Sequence, residues 1–420
     1  MQQMSFTLMN TNFKCGDYFM EKLSYLESHP WIDFTLDTRG ASHRFWMLLG
    51  EAQSKCRHIA GVPLSPDVAA HFHRVYLSKG ARATTAIEGN TLSEEEVEKI
   101  IQDKLELPES KKYLEQEIRN IVDACNLIGG KIRSGSVGNL SVEELLEDNR
   151  LVLKDLPGAE KSMPGQIRTF GVTVGRYRGV PAGDCRILLE KLCSWLNDPS
   201  SFDLRKGNEI ASGILKAILG HLYLVWIHPF GDGNGRTARL LEFHMLLEAG
   251  APTPAAHLLS NHYNETRTEY YRHLENASAN QGVLKFIEYA LGGFVDQLEE
   301  QVKNVRILQW EAAWQNHVHE EFKNDDTEMG KRRKALLLSM SNDFEKRSRF
   351  PFIDPEVAAL YRNKTAKTVS RDISALEKRG LVETKGDLVR ARKETILAFL
   401  PLSKPEVLPS LLEGKRRFKP

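Results

Sequence analysis

The stretch His228-Pro229-Phe230-Gly231-Asp232-Gly233-Asn234-Gly235-Arg236-Thr237-Ala238-Arg239 constrains this chain more than any other. Before it, Ile210, Ile214, Ile218, Leu222 and Val225 recur at helical spacing. After it, Leu240, Leu241, Phe243, Leu246 and Leu247 do the same, until Gly250 and Pro252 end the run. Two buried helices are therefore joined by a glycine-rich connector that carries an imidazole, a carboxylate and two guanidinium groups.

Each residue of the connector has a chemical reading. Gly233 and Gly235 can take positive φ, so backbone N–H groups can turn inward and form an anion-binding nest. The nest falls at the start of the second helix, where unpaired amides and the helix dipole favour phosphate. Arg236 and Arg239 share one face of the first turn, and their planar forks suit phosphate oxygens. Asp232 is a hard oxygen ligand able to hold Mg²⁺ against a diphosphate. His228 stands at the mouth of the nest, where a neutral imidazole can take a proton from an attacking hydroxyl. A glycine turn with surface arginines would explain a lone GxG, but not the whole combination.

These residues carry a resemblance. His228, Phe230, Asp232, Gly233, Asn234, Gly235, Arg236 and Arg239 match the HxFx(D/E)GNGRxxR signature of the Fic family at every fixed position. The resemblance implies a helical core and transfer of AMP from ATP to a hydroxyl side chain of a target protein. It implies His228 as general base and Asp232 as the Mg²⁺ ligand. Asn234, the amides of Gly233 and Gly235, and Arg236 would hold the α- and β-phosphates, and Arg239 would orient the γ-phosphate.

A second stretch, Thr84-Thr85-Ala86-Ile87-Glu88-Gly89-Asn90, places a carboxylate just before a C-cap glycine. By itself it reads as a solvated glutamate at a helix end. Beside the signature it resembles the (S/T)xxxE(G/N) inhibitory motif of Fic proteins, here Thr84, Glu88 and Gly89, on a helix over about 78–89. The resemblance implies that Glu88 pairs with Arg239 and turns ATP out of line for attack. Competition between a carboxylate and a phosphate for one guanidinium is physically direct.

Away from these stretches the chain reads as mainly α. Ile32 to Leu36 has strand character, and Phe45 to Ile59 and a segment from Asp67 are helical. Leu114, Ile118, Ile121, Val122, Cys125 and Leu127 mark another core helix, and Gly129, Gly130, Gly135 and Gly138 a loop after it. Phe170, Val172 and Val174 alternate with Gly171, Thr173 and Gly175, which predicts a β-hairpin turning at Arg176 to Gly179. In Fic proteins a hairpin flap here pairs with the target segment; a plain covering hairpin has the same pattern. Arg168 and Arg176 are the basic residues placed nearest the cleft. His262 to Leu274 reads as one helix, and its Tyr270 and Tyr271 are read either as packing residues or, with Tyr271, as a face for adenine.

The C-terminal third has its own pattern. After a polar linker at Asn324 to Glu328, Ala335 to Phe344, Pro355 to Tyr361 and Thr368 to Leu381 read as helices. Leu381 to Val389 then forms a hairpin around Lys385-Gly386-Asp387, giving winged-helix architecture. Lys364, Lys367, Arg371, Lys378 and Arg379 make its second helix basic, as for a recognition helix or, equally, a docking module. The expected division is 1–110, an N-terminal region with the inhibitory helix; 111–305, a Fic-type core; 325–402, the winged helix; and 403–420, a tail.

Composition narrows the classes. Lys+Arg 57 against Asp+Glu 56 excludes polyanion binding by bulk charge. Cys15, Cys56, Cys125, Cys185 and Cys193 form no CxxC pair and read as reduced thiols. No apolar run near the ~20 residues of a membrane span stands out, and Met1 to Asn12 does not read as a signal peptide. The expectation is a cytoplasmic protein with no membrane partner. ATP, Mg²⁺ and a hydroxyl-bearing target protein are the expected partners, with DNA through 325–402 and a second copy of the chain as further candidates. The leading reading is a self-inhibited protein adenylyltransferase. The alternatives are removal of AMP from a target with Glu88 positioning water, and a DNA-binding regulator.

Overall fold

An apolar helix at Glu209–Ile227 runs through the centre of the fold. By length and composition it passes for a membrane span, contrary to the expectation that no such run exists; 83% of its apolar window is buried inside the protein. The computed structural model describes residues 23–136, 138–204, 206–278 and 282–396. Cys15, the Met1 to Asn12 segment and the 403–420 tail lie outside them.

The elements follow in order. Helices α1 (Tyr25–Ser28), α2 (His43–Ala60), α3 (Pro66–Ala86), α4 (Glu94–Ile101), α5 (Lys112–Arg133) and α6 (Val142–Val152) come first. Strands β1 (Thr173–Val174) and β2 (Tyr177–Arg178) form an antiparallel hairpin. Then come α7 (Cys185–Asn197), the central α8 (Glu209–Ile227), α9 (Asn234–Glu248), α10 (Leu258–Glu265), α11 (Arg267–Ala277) and α12 (Gly282–Glu321). The fold is mainly α, as its 3.6-residue periodicities require.

Helices α8 and α9 pack along one another, and α2, α7 and α12 cover α8. Their approach is close: a methyl group at Gly213 would collide with the Ala249 side chain. Because both helices are locked into one core, the signature loop between them has fixed ends. That core extends from Tyr25 to Val305.

Several local expectations are corrected. Ile32 to Leu36 is not a strand: Phe34 takes φ 54° and tucks its ring beside Trp195 and Tyr223. Gly129 and Gly130 lie inside α5, and Leu127 faces solvent. The hairpin turns at Gly175 and Arg176, with Tyr177 and Arg178 already in its second strand. Thr266 divides the tyrosine-bearing helix into α10 and α11. The expected Ala335 to Phe344 helix begins earlier and ends earlier, as α13 (Glu328–Ser339).

The C-terminal unit has a second core running from Trp314 to Ala391, so it begins inside α12. It comprises α13, β3 (Glu345–Lys346), α14 (Pro355–Tyr361), α15 (Ala366–Lys378), β4 (Val382–Lys385) and β5 (Leu388–Ala391). The strands pair antiparallel in the order β3-β5-β4; β3 was not foreseen. Buried Asp372 ties the unit together, accepting hydrogen bonds from Arg332, Arg333 and Tyr361. Arg379, expected on a basic face, instead hydrogen-bonds Glu321 at 2.9 Å and stacks over Phe322.

Candidate active site

Helix α8 ends where His228 turns left-handed, at φ 50°, and α9 begins at Gly233, at φ 77°. Between them the buried Asn234 side chain closes the loop on itself: its Oδ1 accepts from the Phe230 amide and its Nδ2 donates to the Phe230 carbonyl, both at 2.9 Å. Asn149 of α6 donates to the Asp232 carbonyl at 3.0 Å from outside the loop. Gly233 has no side chain with which to cap α9, so the first amides of that helix have no side-chain acceptor. Thus amide side chains hold the loop's shape, the Gly233 amide donates to Asp232 Oδ1 at 2.5 Å, and the first amides of α9 stay available.

His228 Nδ1 lies 3.3 Å from the Val225 carbonyl. A carbonyl only accepts, so this contact places the proton on Nδ1 and leaves Nε2 as the basic nitrogen. Burial pulls the His228 imidazole below its ordinary range, which keeps it neutral at pH 7. Arg168, expected as a basic residue of the cleft, is buried and used structurally. Its guanidinium donates to the carbonyls of His228 (2.7 Å), Phe170 (2.6 Å) and Val180 (2.6 Å), fastening the hairpin to the His228 turn.

The two arginines of α9 are both buried, and each meets a carboxylate. Arg239 donates to Glu88 Oε1 at 2.6 Å and to the Thr84 carbonyl at 2.9 Å. Burial pulls the Glu88 carboxyl up, but the charge of Arg239, aided by Arg236 and Arg267, holds it below the ordinary carboxylate range. A methyl group at Gly235 would collide with Glu88 Oε1. The carboxylate therefore lies over the first turn of α9, where an anion is electrostatically favoured. The stretch expected at about 78–89 comprises the end of α3, which starts at Pro66 and ends at Ala86, and the turn after it that carries Glu88.

Arg236 meets Glu117 at 3.1 Å and Asp232 at 3.3 Å. Glu117 was missed by sequence reasoning, because a lone glutamate on α5 has no motif around it. Asn90 donates to Glu117 Oε2 at 2.9 Å and to the Leu114 carbonyl at 2.9 Å. One network thus fastens the segment just after Glu88 to α5 and to the first signature arginine.

Asp232 is the most exposed member of the loop, with 58% of its side chain accessible. No group of three His, Cys, Asp or Glu side chains suited to a metal occurs among the described residues. Asp232 therefore fits Mg²⁺ only as one carboxylate ligand beside oxygens brought by a nucleotide.

His228, Glu88, Gly235 and Arg239 line one cavity of about 610 Å³. Val174, Gly175, Arg176 and Tyr177 of the hairpin wall one side of it, and Tyr271 and Leu274 of α11 another. The two tyrosines divide their duties. Tyr270 is buried and its hydroxyl meets His221 Nε2 at 2.8 Å, whereas Tyr271 is 44% exposed under the Arg267 guanidinium.

Residues 139–246, which hold α6 through α9, match the model of the Fic/DOC family. The chain therefore carries a Fic/DOC domain over that segment. Among similar proteins, the protein adenylyltransferase fic-1 of Caenorhabditis elegans is 33% identical over 49% of the chain and 37% of its own length. The protein adenylyltransferase Fic of Culex quinquefasciatus is 30% identical over 51% of the chain and 38% of its own length. The chain thus spans under two-fifths of the length of these curated relatives. A crystal structure of a Fic family protein from Desulfovibrio desulfuricans G20 shares the fold, with TM-score 0.52 and 19% identity over 83% of this chain and 96% of that one.

The electrostatics around His228 make a direct prediction. Its ring should titrate below the ordinary value of about 6.5 when followed by NMR. Glu88 favours the imidazolium. Glu88→Gln should therefore move the midpoint lower still, and an upward move would contradict this arrangement.

Proposed function

We propose that this Fic chain is a self-inhibited protein adenylyltransferase, transferring AMP from ATP to a Ser, Thr or Tyr hydroxyl of a target protein. The observation that carries the reading is the 2.6 Å Glu88–Arg239 pair standing in the cavity that His228 also lines. The activity carried in the names of the relatives supports it.

In this reading, His228 Nε2 takes the proton of the target hydroxyl. The freed oxygen attacks the α-phosphorus, the bond to the β-phosphate bridging oxygen breaks, and pyrophosphate leaves. The amides of Gly233, Asn234 and Gly235, together with Arg236, hold the α- and β-phosphates; Arg239 holds the γ-phosphate, and Tyr271 offers a face to adenine. Mg²⁺, bound by Asp232 and the nucleotide, would neutralise charge on the leaving diphosphate. Arg236 has to exchange Asp232 and Glu117 for phosphate, and Arg239 has to exchange Glu88. Inhibition is the second of these exchanges failing to occur.

The same site admits the reverse duty. Glu88 beside His228 can position a water against an AMP-modified side chain, which makes the Fic chain an AMP-removing hydrolase. Glu88 then becomes essential rather than restraining, so one substitution separates the readings. Glu88→Gly should raise transfer of labelled AMP from ATP by at least about tenfold, and adding His228→Ala should lower it by about 10²–10⁴, the usual contribution of a general base. The rate should hold on the acid side to below about pH 6.5, because burial keeps His228 neutral there. Unchanged transfer in Glu88→Gly, with loss of AMP removal from a modified protein, would favour the hydrolase.

For 325–402 we keep the winged-helix reading, with DNA as its candidate partner. Lys364, Lys367, Arg371 and Lys378 are exposed on and beside α15, which supports it. Duplex binding by the full chain should weaken steeply as salt rises, in proportion to the phosphates contacted. No retention at low salt would leave docking to protein, including a second copy of the chain, as this unit's role.

A further inference from the structure

The wall of the cavity includes a residue far outside the matched 139–246 segment. Trp31 lines the cavity beside Val174 to Tyr177 and His228. Its indole Nε1 is buried and donates to no group among the described residues. An indole N–H buried without an acceptor is uncommon, since the lost hydration is not replaced. Its place in the wall of a cavity suggests an acceptor that arrives with a ligand.

Trp31 is held from both sides. On one side, the Tyr25 amide donates to Asp184 Oδ2 at 2.7 Å, and Lys191 donates to the Tyr25 hydroxyl at 2.8 Å. On the other, the Tyr223 hydroxyl donates to Asp33 Oδ1 at 3.0 Å, and Phe34 sits 5.1 Å from the Tyr223 ring. Residues 25–34 thus form a strap fixed to α7 and α8.

The strap also grips the hairpin. His29 Nε2 lies 2.8 Å from the Arg178 carbonyl, and Nδ1 lies 2.8 Å from Ser28 Oγ. Since the carbonyl only accepts, Nε2 carries a proton. The His29 ring packs between Trp31, at 5.1 Å, and Tyr177, at 5.9 Å edge-on. The Tyr177 hydroxyl in turn donates to the Trp226 carbonyl at 2.6 Å, two residues before the base. His29 therefore couples the position of the indole to that of β2 and the α8 terminus.

We propose that Trp31 is a specificity-determining residue for the protein substrate, with His29 as its positioning residue. The inference rests on the transfer reading above. Trp31 stands on the hairpin side of the cavity, joined to Tyr177 through the His29 ring. It closes the space in which the acceptor side chain and its neighbours lie, and its N–H donates to an oxygen of that acceptor segment. His29 holds the hairpin at the spacing that admits an extended chain between it and the indole.

The experiment uses full-length Glu88→Gly protein as enzyme, labelled ATP, and a His228→Ala copy of the chain as acceptor. Trp31→Ala should lower kcat/KM for the acceptor by about tenfold or more, mainly through KM, while ATP binding measured by calorimetry stays within about twofold. Trp31→Phe keeps the ring without the donor and should fall between the two. His29→Ala should show the same KM effect, together with faster hydrogen exchange of amides 172–179. Unchanged acceptor kinetics in both alanine variants would overturn the proposal. A parallel loss of ATP affinity would overturn it too, by placing Trp31 on the nucleotide side. If Glu88→Gly with Trp31 intact binds ATP but transfers no label, the transfer reading fails and takes the acceptor role with it. Exchange at 172–179 then reports separately whether His29 holds the hairpin.

Discussion

The site is organised around one buried guanidinium. Arg239 is almost wholly removed from water, and a cation so placed must have a partner. The partner at hand is Glu88, about 150 residues away in sequence and brought across by α3. An arriving phosphate offers the same charge and similar geometry in the same place. The exchange is therefore between two anions, with neither state leaving the arginine bare. Under the proposed self-inhibition, a single short contact decides the state of the site without unfolding any of it.

The surroundings make the contest local. Asn234, Asn149 and Arg168 hold the loop and the hairpin in place through buried bonds to backbone. None of these bonds involves Glu88. The segment that carries Glu88 has a different fastening, Asn90 to Glu117, and Glu117 in turn meets Arg236. Release of Glu88 and loading of phosphate on Arg236 thus draw on one network. In the proposed reading the loop and hairpin stay fixed while the Glu88 segment, Arg236 and Arg239 exchange partners.

Much of this was legible in the sequence, because its strongest signals are short-range. The helices around the connector follow from apolar spacing, and the chemistry of the connector follows from residue type. The 2.6 Å approach of Glu88 to Arg239 was anticipated only through a family resemblance; spacing alone left Glu88 a solvated glutamate. What escaped was long-range or context-dependent. Glu117 and Trp31 carry no local pattern, and they reach the site only when α5 and the residue 25–34 strap pack. Arg168 looks from sequence like a ligand-facing cation, yet three carbonyls claim it. Phe34 alternates like a strand residue, but the ring space beside Tyr223 pulls its backbone left-handed. Apolar length also misled in the other direction, since α8 is span-like only because the core encloses it on every side.

The most direct test of the contest for Arg239 compares two nucleotides that differ by one phosphate. Calorimetry would measure ATP and ADP affinity in His228→Ala protein, where nothing turns over, with and without Glu88→Gly. If Glu88 and the γ-phosphate compete for Arg239, removing Glu88 should tighten ATP by about tenfold, within the range of one charged hydrogen bond, and ADP by much less. An equal change for both nucleotides, or none for either, would contradict the account.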